Sequence, residues 1–130
     1  MTNDSETTLK FLREKVRDFV DERAWQTFHS PKNLSMALAI EVGELMEHFQ
    51  WITQEESRQL DSEKRIAVSE EMSDVLCYLL AMANELDLDL ATSFERKMEL
   101  NRKKYPAEKY RGRYGDEDSR PVKNADSVSS

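Results

Sequence analysis

Glycine and proline are scarce in this chain, with three residues of each among 130. A β-sheet needs a turn between successive strands, so a shortage of turn-forming residues favours long helices. A chain of this length suffices for one domain with one modest core. The composition therefore predicts an all-α fold.

Cysteine is nearly absent as well, because Cys77 is the one cysteine, and no disulfide can form within a single chain. Cys77 lies in an apolar stretch and is interpreted as a small core residue. The first eight residues are polar and acidic, unlike a secretory signal. The longest apolar run, residues 75–83, is far too short to span a membrane. These absences predict a cytoplasmic protein without a membrane partner.

Basic residues are outnumbered, and the formal net charge at pH 7 is −7. An acidic surface repels the phosphate backbone of nucleic acids, so a nucleic acid polymer is not an expected partner. A small polyanion can still bind to such a protein if cations bridge it to the acidic groups.

Apolar residues recur at three- and four-residue spacing in four segments, which is typical of amphipathic helices. We predict helices at about residues 8–25, 31–50, 62–86 and 89–105. The predicted caps are Ser30, Ser62 and Asp89, and Pro106 ends the last helix. A short helical turn is expected after Thr53.

Each predicted helix has one strong apolar face, so the four helices need one another, and a four-helix bundle follows. Oligomerisation is expected to complete it, because some apolar residues lie outside these faces: Ile40, Met46, Leu76 and Leu80. The domain is predicted to span residues 1–106. Residues 107–130 are polar and are interpreted as a C-terminal tail, largely disordered unless a neighbour holds it.

Two pairs of carboxylates stand at helical spacing: Glu41 with Glu44, and Glu71 with Asp74. Residues three apart on a helix point into neighbouring space, and all four acids border the apolar faces. If the two helices pack antiparallel, the four carboxylates converge and raise one another's pKa. A divalent cation removes that cost, and a set of oxygen ligands favours Mg²⁺ or Mn²⁺ over zinc.

The alternative interpretation is that these acids are solvated surface, since either pair alone is common in acidic helices. The protein would then be an acidic helical interaction protein, or a nucleotide-binding module without turnover. A di-iron site is a poor match, because it requires Glu-x-x-His on two helices and neither His29 nor His48 follows a glutamate by three.

At these carboxylates the sequence resembles the MazG-like superfamily of all-α nucleotide pyrophosphohydrolases, whose signature is ExxE, a spacer and ExxD. The signature stands here as EVGE at residues 41–44 and EMSD at residues 71–74. Longer blocks are similar to the dCTP pyrophosphatase branch, and the resemblance covers residues 9–106. These blocks are residues 22–34, 41–51, 70–78 and 97–106.

The resemblance implies a MazG fold built as a homo-oligomer, either dimer or tetramer. It also implies Mg²⁺-dependent hydrolysis of a nucleoside triphosphate to the monophosphate and pyrophosphate, with dCTP or a modified dCTP favoured. Mg²⁺, or Mn²⁺ as a substitute, is expected on Glu41, Glu44, Glu71 and Asp74. Either Glu44 or Glu41 is expected to act as the general base, and the sequence does not choose between them.

Residues that match the family blocks are candidates for substrate contacts. Lysine and asparagine side chains on the last helix suit phosphate oxygens, and aromatic groups suit the base. For each of them, ordinary packing or surface exposure is the alternative. The candidates are Trp25, His29, Asn33, Trp51, Tyr78, Lys97, Asn101, Lys104 and Tyr105.

Overall fold

The computed structural model describes residues 1–127, and every regular element among them is helical. The predicted all-α class is confirmed. The chain forms two compact units, Met1–Leu88 and Asp89–Ser130. None of the helices in the described part is long and apolar enough to cross a membrane.

The first unit holds three long helices and one short one. They are α1 (Leu9–Glu22), α2 (Pro31–Glu47), α3 (Gln54–Ser57) and α4 (Ser62–Glu85), with a 3₁₀ turn at Trp25–Phe28. The second unit holds α5 (Leu90–Lys104), α6 (Ala107–Tyr110) and a 3₁₀ turn at Ala125–Ser127. The four predicted helices and the turn after Thr53 are therefore present.

Polar side chains cap the helices, as the sequence predicts at Ser30 and Asp89. The prediction for α4 is wrong by one residue, because Asp61 is the cap and Ser62 is already helical. The Asp61 carboxylate accepts the backbone N–H of Lys64 at 2.8 Å. Asp61 has extended backbone angles, which point its side chain at the free N–H groups of the first turn.

Helix α1 ends earlier than predicted because Ala24 has a left-handed backbone, with φ of 51°. Residues other than glycine seldom adopt this conformation, so the sequence does not predict a turn at Ala24. The chain turns there into the 3₁₀ turn that carries Trp25.

The core of the first unit forms where α2 and α1 each pack against α4. Its buried apolar residues are Val20, Leu34, Val68, Leu80, Ala81 and Ala83. Leu80 was expected to be available to a second subunit but is only 2% exposed, because α4 is covered on two sides. Cys77, expected in the core, is exposed instead.

The end of α4 is fixed to α1 by Arg13. Its guanidinium donates to the side-chain oxygen of Asn84 at 3.0 Å and to the carbonyls of Ala83 at 3.1 Å and Leu88 at 2.6 Å. In return, the Asn84 amide donates to the Arg13 carbonyl at 3.1 Å. These bonds tie the C-terminal end of α4 and the residues that follow it to α1.

In the second unit, Asp118 is the one buried charged side chain among the described residues, at 4% exposure. It accepts the Arg120 guanidinium at 2.7 Å and the backbone N–H of Tyr114 at 2.8 Å. These hydrogen bonds, chiefly from Arg120, hold the pKa of Asp118 well below its usual value. The domain boundary at 106 and the disorder of the tail stay predictions, and residues 128–130 lie outside the described residues.

Candidate metal centre and active site

Three carboxylates converge where α2 and α4 pack together. One oxygen each from Glu41, Glu44 and Glu71 lies within 4.8 Å of the others. The charges of Glu44 and His48 act on Glu71, whereas that of Glu41 acts on Tyr78. Late positions of α2 therefore face early positions of α4, so the two helices run antiparallel and bring the two motifs together.

Asp74, the fourth expected ligand, lies at the edge of this cluster. It is exposed and is not among the three carboxylates that meet within 4.8 Å. Its charge nevertheless raises the pKa values of both Glu41 and Glu71. Asp74 is thus a neighbour of the cluster, one helical turn beyond Glu71 on α4.

The cluster holds its protons more tightly than isolated carboxyl groups do. Burial raises the pKa of Glu41 to about 7, and the nearby carboxylates of Glu44, Asp74 and Glu71 add to the increase. Burial also raises the pKa of Glu71, followed by the charge of Glu44. Negative charge is therefore costly here when nothing positive is close.

Two oxygens of the cluster lack any hydrogen-bond partner within the described residues. They are the Oε2 atoms of Glu41 and Glu71, and both are buried. Buried polar atoms in proteins are almost always paired, and an ionised carboxylate can only accept. A hard divalent cation takes such oxygen ligands and cancels the repulsion between them. The residues at this site therefore fit a divalent metal ion.

Tyr78 follows Asp74 by one turn of α4 and lies half-buried beside the cluster. Burial, and then the charge of Glu41, raises the pKa of its hydroxyl. The hydroxyl therefore remains a hydrogen-bond donor at neutral pH and is within electrostatic reach of the metal-binding carboxylates.

Trp25 and His29 lie together at the turn between α1 and α2. The Trp25 ring packs edge-on against Phe19, with centroids 5.7 Å apart, and its centroid is 6.3 Å from that of His29. The His29 Nδ1 atom is buried and has no partner in the part of the chain that the structure describes. Trp25 thus has a packing role, whereas His29 retains an unused polar atom.

Asn33 forms a hydrogen bond within the chain, whereas Trp51 is largely exposed. The Asn33 side-chain amide donates to the carbonyl of Phe28 at 3.3 Å, so Asn33 supports the turn before α2. Trp51 follows α2 and is 87% exposed. A contact of either residue with a base stays a prediction.

A model of the MazG-like family matches residues 36–116, which is more than half of the chain. The match includes both carboxylate motifs and continues beyond residue 106, where the resemblance in the sequence was expected to stop. This chain belongs to the MazG-like family.

Similar proteins carry the name dCTP pyrophosphatase 1. The one from Homo sapiens is 45% identical over 104 residues, which is 78% of this chain and 61% of that protein. The one from Bos taurus is 44% identical over 110 residues, 83% of this chain and 65% of that protein. The chain spans slightly less than two thirds of the length of these relatives.

A solved structure is also similar, the crystal structure of a pyrophosphatase from Archaeoglobus fulgidus. The TM-score is 0.72 at 36% identity, over 82% of this chain and 99% of that one. The MazG-like fold of the chain is therefore supported by sequence and by structure.

The remaining candidates belong to the second unit. Lys97, Asn101 and Lys104 share one face of α5, because they are spaced by four and three residues. Asn101 is half-buried, and the Lys104 ammonium lies 5.3 Å from the ring centroid of Tyr105. The Tyr105 ring packs edge-on against Tyr110 at 5.2 Å. Phosphate or base contacts by these residues stay predictions.

His48 is a residue that the sequence analysis did not place at the site. It follows Glu44 by four residues and is close enough for its charge to lower the pKa of Glu71. The spacing of positions 41, 44 and 48 along one face of α2 is the signal that identifies it.

Proposed function

We propose that this protein is a Mg²⁺-dependent nucleoside triphosphate pyrophosphohydrolase. It cleaves the bond between the α and β phosphates and releases a nucleoside monophosphate and pyrophosphate. The observation that carries the proposal is the convergence of Glu41, Glu44 and Glu71, in which two buried oxygens have no hydrogen-bond partner within residues 1–127. The names of the similar proteins, dCTP pyrophosphatase 1 and pyrophosphatase, support the same reaction.

In this proposal Glu41, Glu44, Glu71 and Asp74 hold Mg²⁺, with Mn²⁺ as a substitute. When bound, the ion neutralises phosphate charge and lowers the pKa of a coordinated water. Either Glu44 or Glu41 accepts the proton of the attacking water.

The favoured substrate is dCTP or a modified dCTP, because the named relatives act on dCTP. Lys97 and Asn101 on α5 are proposed to bind phosphate oxygens, with Lys104 and Tyr105 nearby on the same segment. Tyr78, Trp25 and Trp51 are proposed to contact the nucleoside.

The proposal is tested with the purified protein and each nucleoside triphosphate, with and without Mg²⁺, by measuring pyrophosphate and monophosphate release. We expect Mg²⁺-dependent release that is largest for dCTP. Glu71→Gln should lower it by about a hundredfold or more, since a carboxylate ligand is lost. Glu70→Gln changes the adjacent, exposed acid and should have little effect.

If no nucleotide is hydrolysed with any divalent metal, the enzyme proposal fails. An acidic interaction protein or a nucleotide-binding module without turnover would then be the better account of this chain.

A further inference from the structure

The tail loop, residues 111–123, folds back on itself after α6. The Arg111 carbonyl accepts the backbone N–H of Lys123 at 2.8 Å, which brings the two ends of the loop together. Gly112 follows with φ of 79°, and a Cβ atom at this position would lie 2.6 Å from the side chain of Lys123. The close return of the chain therefore requires glycine at position 112.

Asp118 fixes the tail loop from inside. Its buried carboxylate accepts the backbone N–H groups of Tyr114 at 2.8 Å and Arg120 at 3.0 Å, as well as the Arg120 guanidinium. The carbonyl of Asp118 accepts the Arg113 guanidinium at 2.6 Å. Hydrogen bonds that involve a charged group are stronger than neutral ones, so the tail loop is held in place by its own side chains.

Asp116 connects the tail loop to α6. Its carboxylate accepts the hydroxyl of Tyr110 and lies 3.3 Å from the Lys109 ammonium. Both partners are at the end of α6. The hydrogen bonds from Tyr110 and Lys109 hold the pKa of Asp116 below its usual value, so the carboxylate is ionised at neutral pH.

Tyr110 in turn packs against the end of α5. Its ring meets the ring of Tyr105 edge-on, with centroids 5.2 Å apart. Tyr105 donates its backbone N–H to the carbonyl of Asn101 at 2.8 Å, and its ring centroid lies 5.3 Å from the Lys104 ammonium. A continuous series of contacts therefore joins the tail loop to the last turn of α5.

The last half of α5 carries cations that are available to an anionic ligand. No carboxylate among the described residues forms an ion pair with Lys97, Lys103 or Lys104. A lysine side chain is flexible, and ordering it on binding costs free energy. A helix end that is already held in one arrangement reduces this cost.

We propose that Asp116 and Tyr110 are positioning residues, which hold the last turn of α5 in the arrangement that receives the phosphates of a nucleoside triphosphate. They act through Tyr105, whose ring keeps the Lys104 ammonium at the end of the helix. The inference rests on the proposed function in taking a nucleoside triphosphate as the ligand, but not on hydrolysis of that ligand.

The test measures binding of α,β-methylene-dCTP with Mg²⁺ by isothermal titration calorimetry, because this analogue is not cleaved between its α and β phosphates. We expect Tyr110→Phe and Asp116→Ala each to weaken binding about fivefold, since each removes the hydrogen bond between these two residues. Loss of a negative charge alone favours a polyanion, so the expected effect of Asp116→Ala is opposite to the general charge effect. Glu117→Ala removes the adjacent, exposed acid and is the matched control, which should not weaken binding.

A second measurement distinguishes positioning from a general loss of structure. In a Tyr105→Ala background, Tyr110→Phe should change the affinity by less than about twofold, because the contact through which Tyr110 acts is already lost. Thermal melting confirms that the variants fold. If Asp116→Ala does not fold, Tyr110→Phe decides, because it retains the ring that packs against Tyr105.

The inference is overturned if both variants bind the analogue as tightly as the wild type, or if Tyr110→Phe has the same effect with and without Tyr105. It is also overturned if the wild type does not bind the analogue. Each of these outcomes counts even where hydrolysis of dCTP is observed. Weaker binding by both variants, but not by Glu117→Ala, supports the inference even where no nucleotide is hydrolysed, so the two proposals fail separately.

Discussion

Among single residues, the protonation of Glu41 should make the stability of the protein depend on pH. Its pKa is about 7 when folded and near the ordinary 4.5 when unfolded. Between these values the folded protein retains a proton that the unfolded chain releases. The free energy of unfolding of the metal-free protein should therefore fall as pH rises from about 4.5 to about 7.

We expect this loss to be about 1–2 kcal/mol, since partial solvent exposure weakens the effect of the pKa shift. Urea unfolding in the presence of a chelator, at pH 5 and pH 8, measures it. Glu41→Gln cannot titrate at this position and should show a smaller difference. An equal pH dependence in wild type and variant would contradict the assigned role of Glu41.

Metal binding should restore the stability that is lost at high pH, because a bound cation replaces the proton on Glu41. At pH 8, adding Mg²⁺ should raise the thermal melting temperature of the wild type through binding to the folded state alone. The increase should be absent in Glu71→Gln and retained in Glu70→Gln. Identical shifts in both variants would indicate that the ion binds elsewhere.

The sequence predicts the meeting of the carboxylates but not their individual environments. Helical spacing places Glu41 and Glu44 on one face of α2, and antiparallel packing with α4 brings Glu71 to them. Spacing does not distinguish the half-buried Glu71 from the exposed Asp74, because burial depends on how far α4 rotates against α2. The same limit applies to His29, whose burial depends on the turn after Ala24.

At the scale of the helices, the sequence correctly predicts which long helices form and in what order. It predicts the residues at which they begin and end less accurately. Amphipathic spacing identifies α1, α2, α4 and α5, since it reflects which side of each helix is covered. End points depend on the backbone angles of one residue, as at Ala24 and Asp61. A strong helix former such as alanine carries no stop signal in the sequence.

The capping role of Asp61 gives a test at this level. Asp61→Ala should lower the free energy of unfolding by about 1 kcal/mol, because the Lys64 N–H loses its acceptor. Ser62→Ala is the control, since Ser62 is already helical, and should change it by only a few tenths of a kcal/mol. Urea denaturation measures the free energy of unfolding of both variants. A larger decrease for Ser62→Ala than for Asp61→Ala would indicate that Ser62 is the cap, as the sequence predicts.

At the scale of the whole molecule, several large apolar side chains of the first unit are exposed and do not contribute to its core. On α2, Met36 and Ile40 are 57% and 64% exposed and lie four residues apart on one face. On α4, Ile66 and Met72 are exposed to a similar degree. Large exposed apolar side chains at neighbouring positions of a helix face are typical of a protein interface.

We therefore predict that the protein is a homo-oligomer, and that Ile40→Glu disrupts it by placing a charge in an apolar interface. Light scattering coupled to size-exclusion chromatography should give a dimer or tetramer mass for the wild type and a smaller mass for the variant. Ser35→Glu adds the same charge elsewhere on α2 and should leave the mass unchanged. A monomeric wild type at micromolar concentration would mean that this surface does not form a subunit interface. The carboxylate cluster would then not depend on assembly, because one chain forms it by itself.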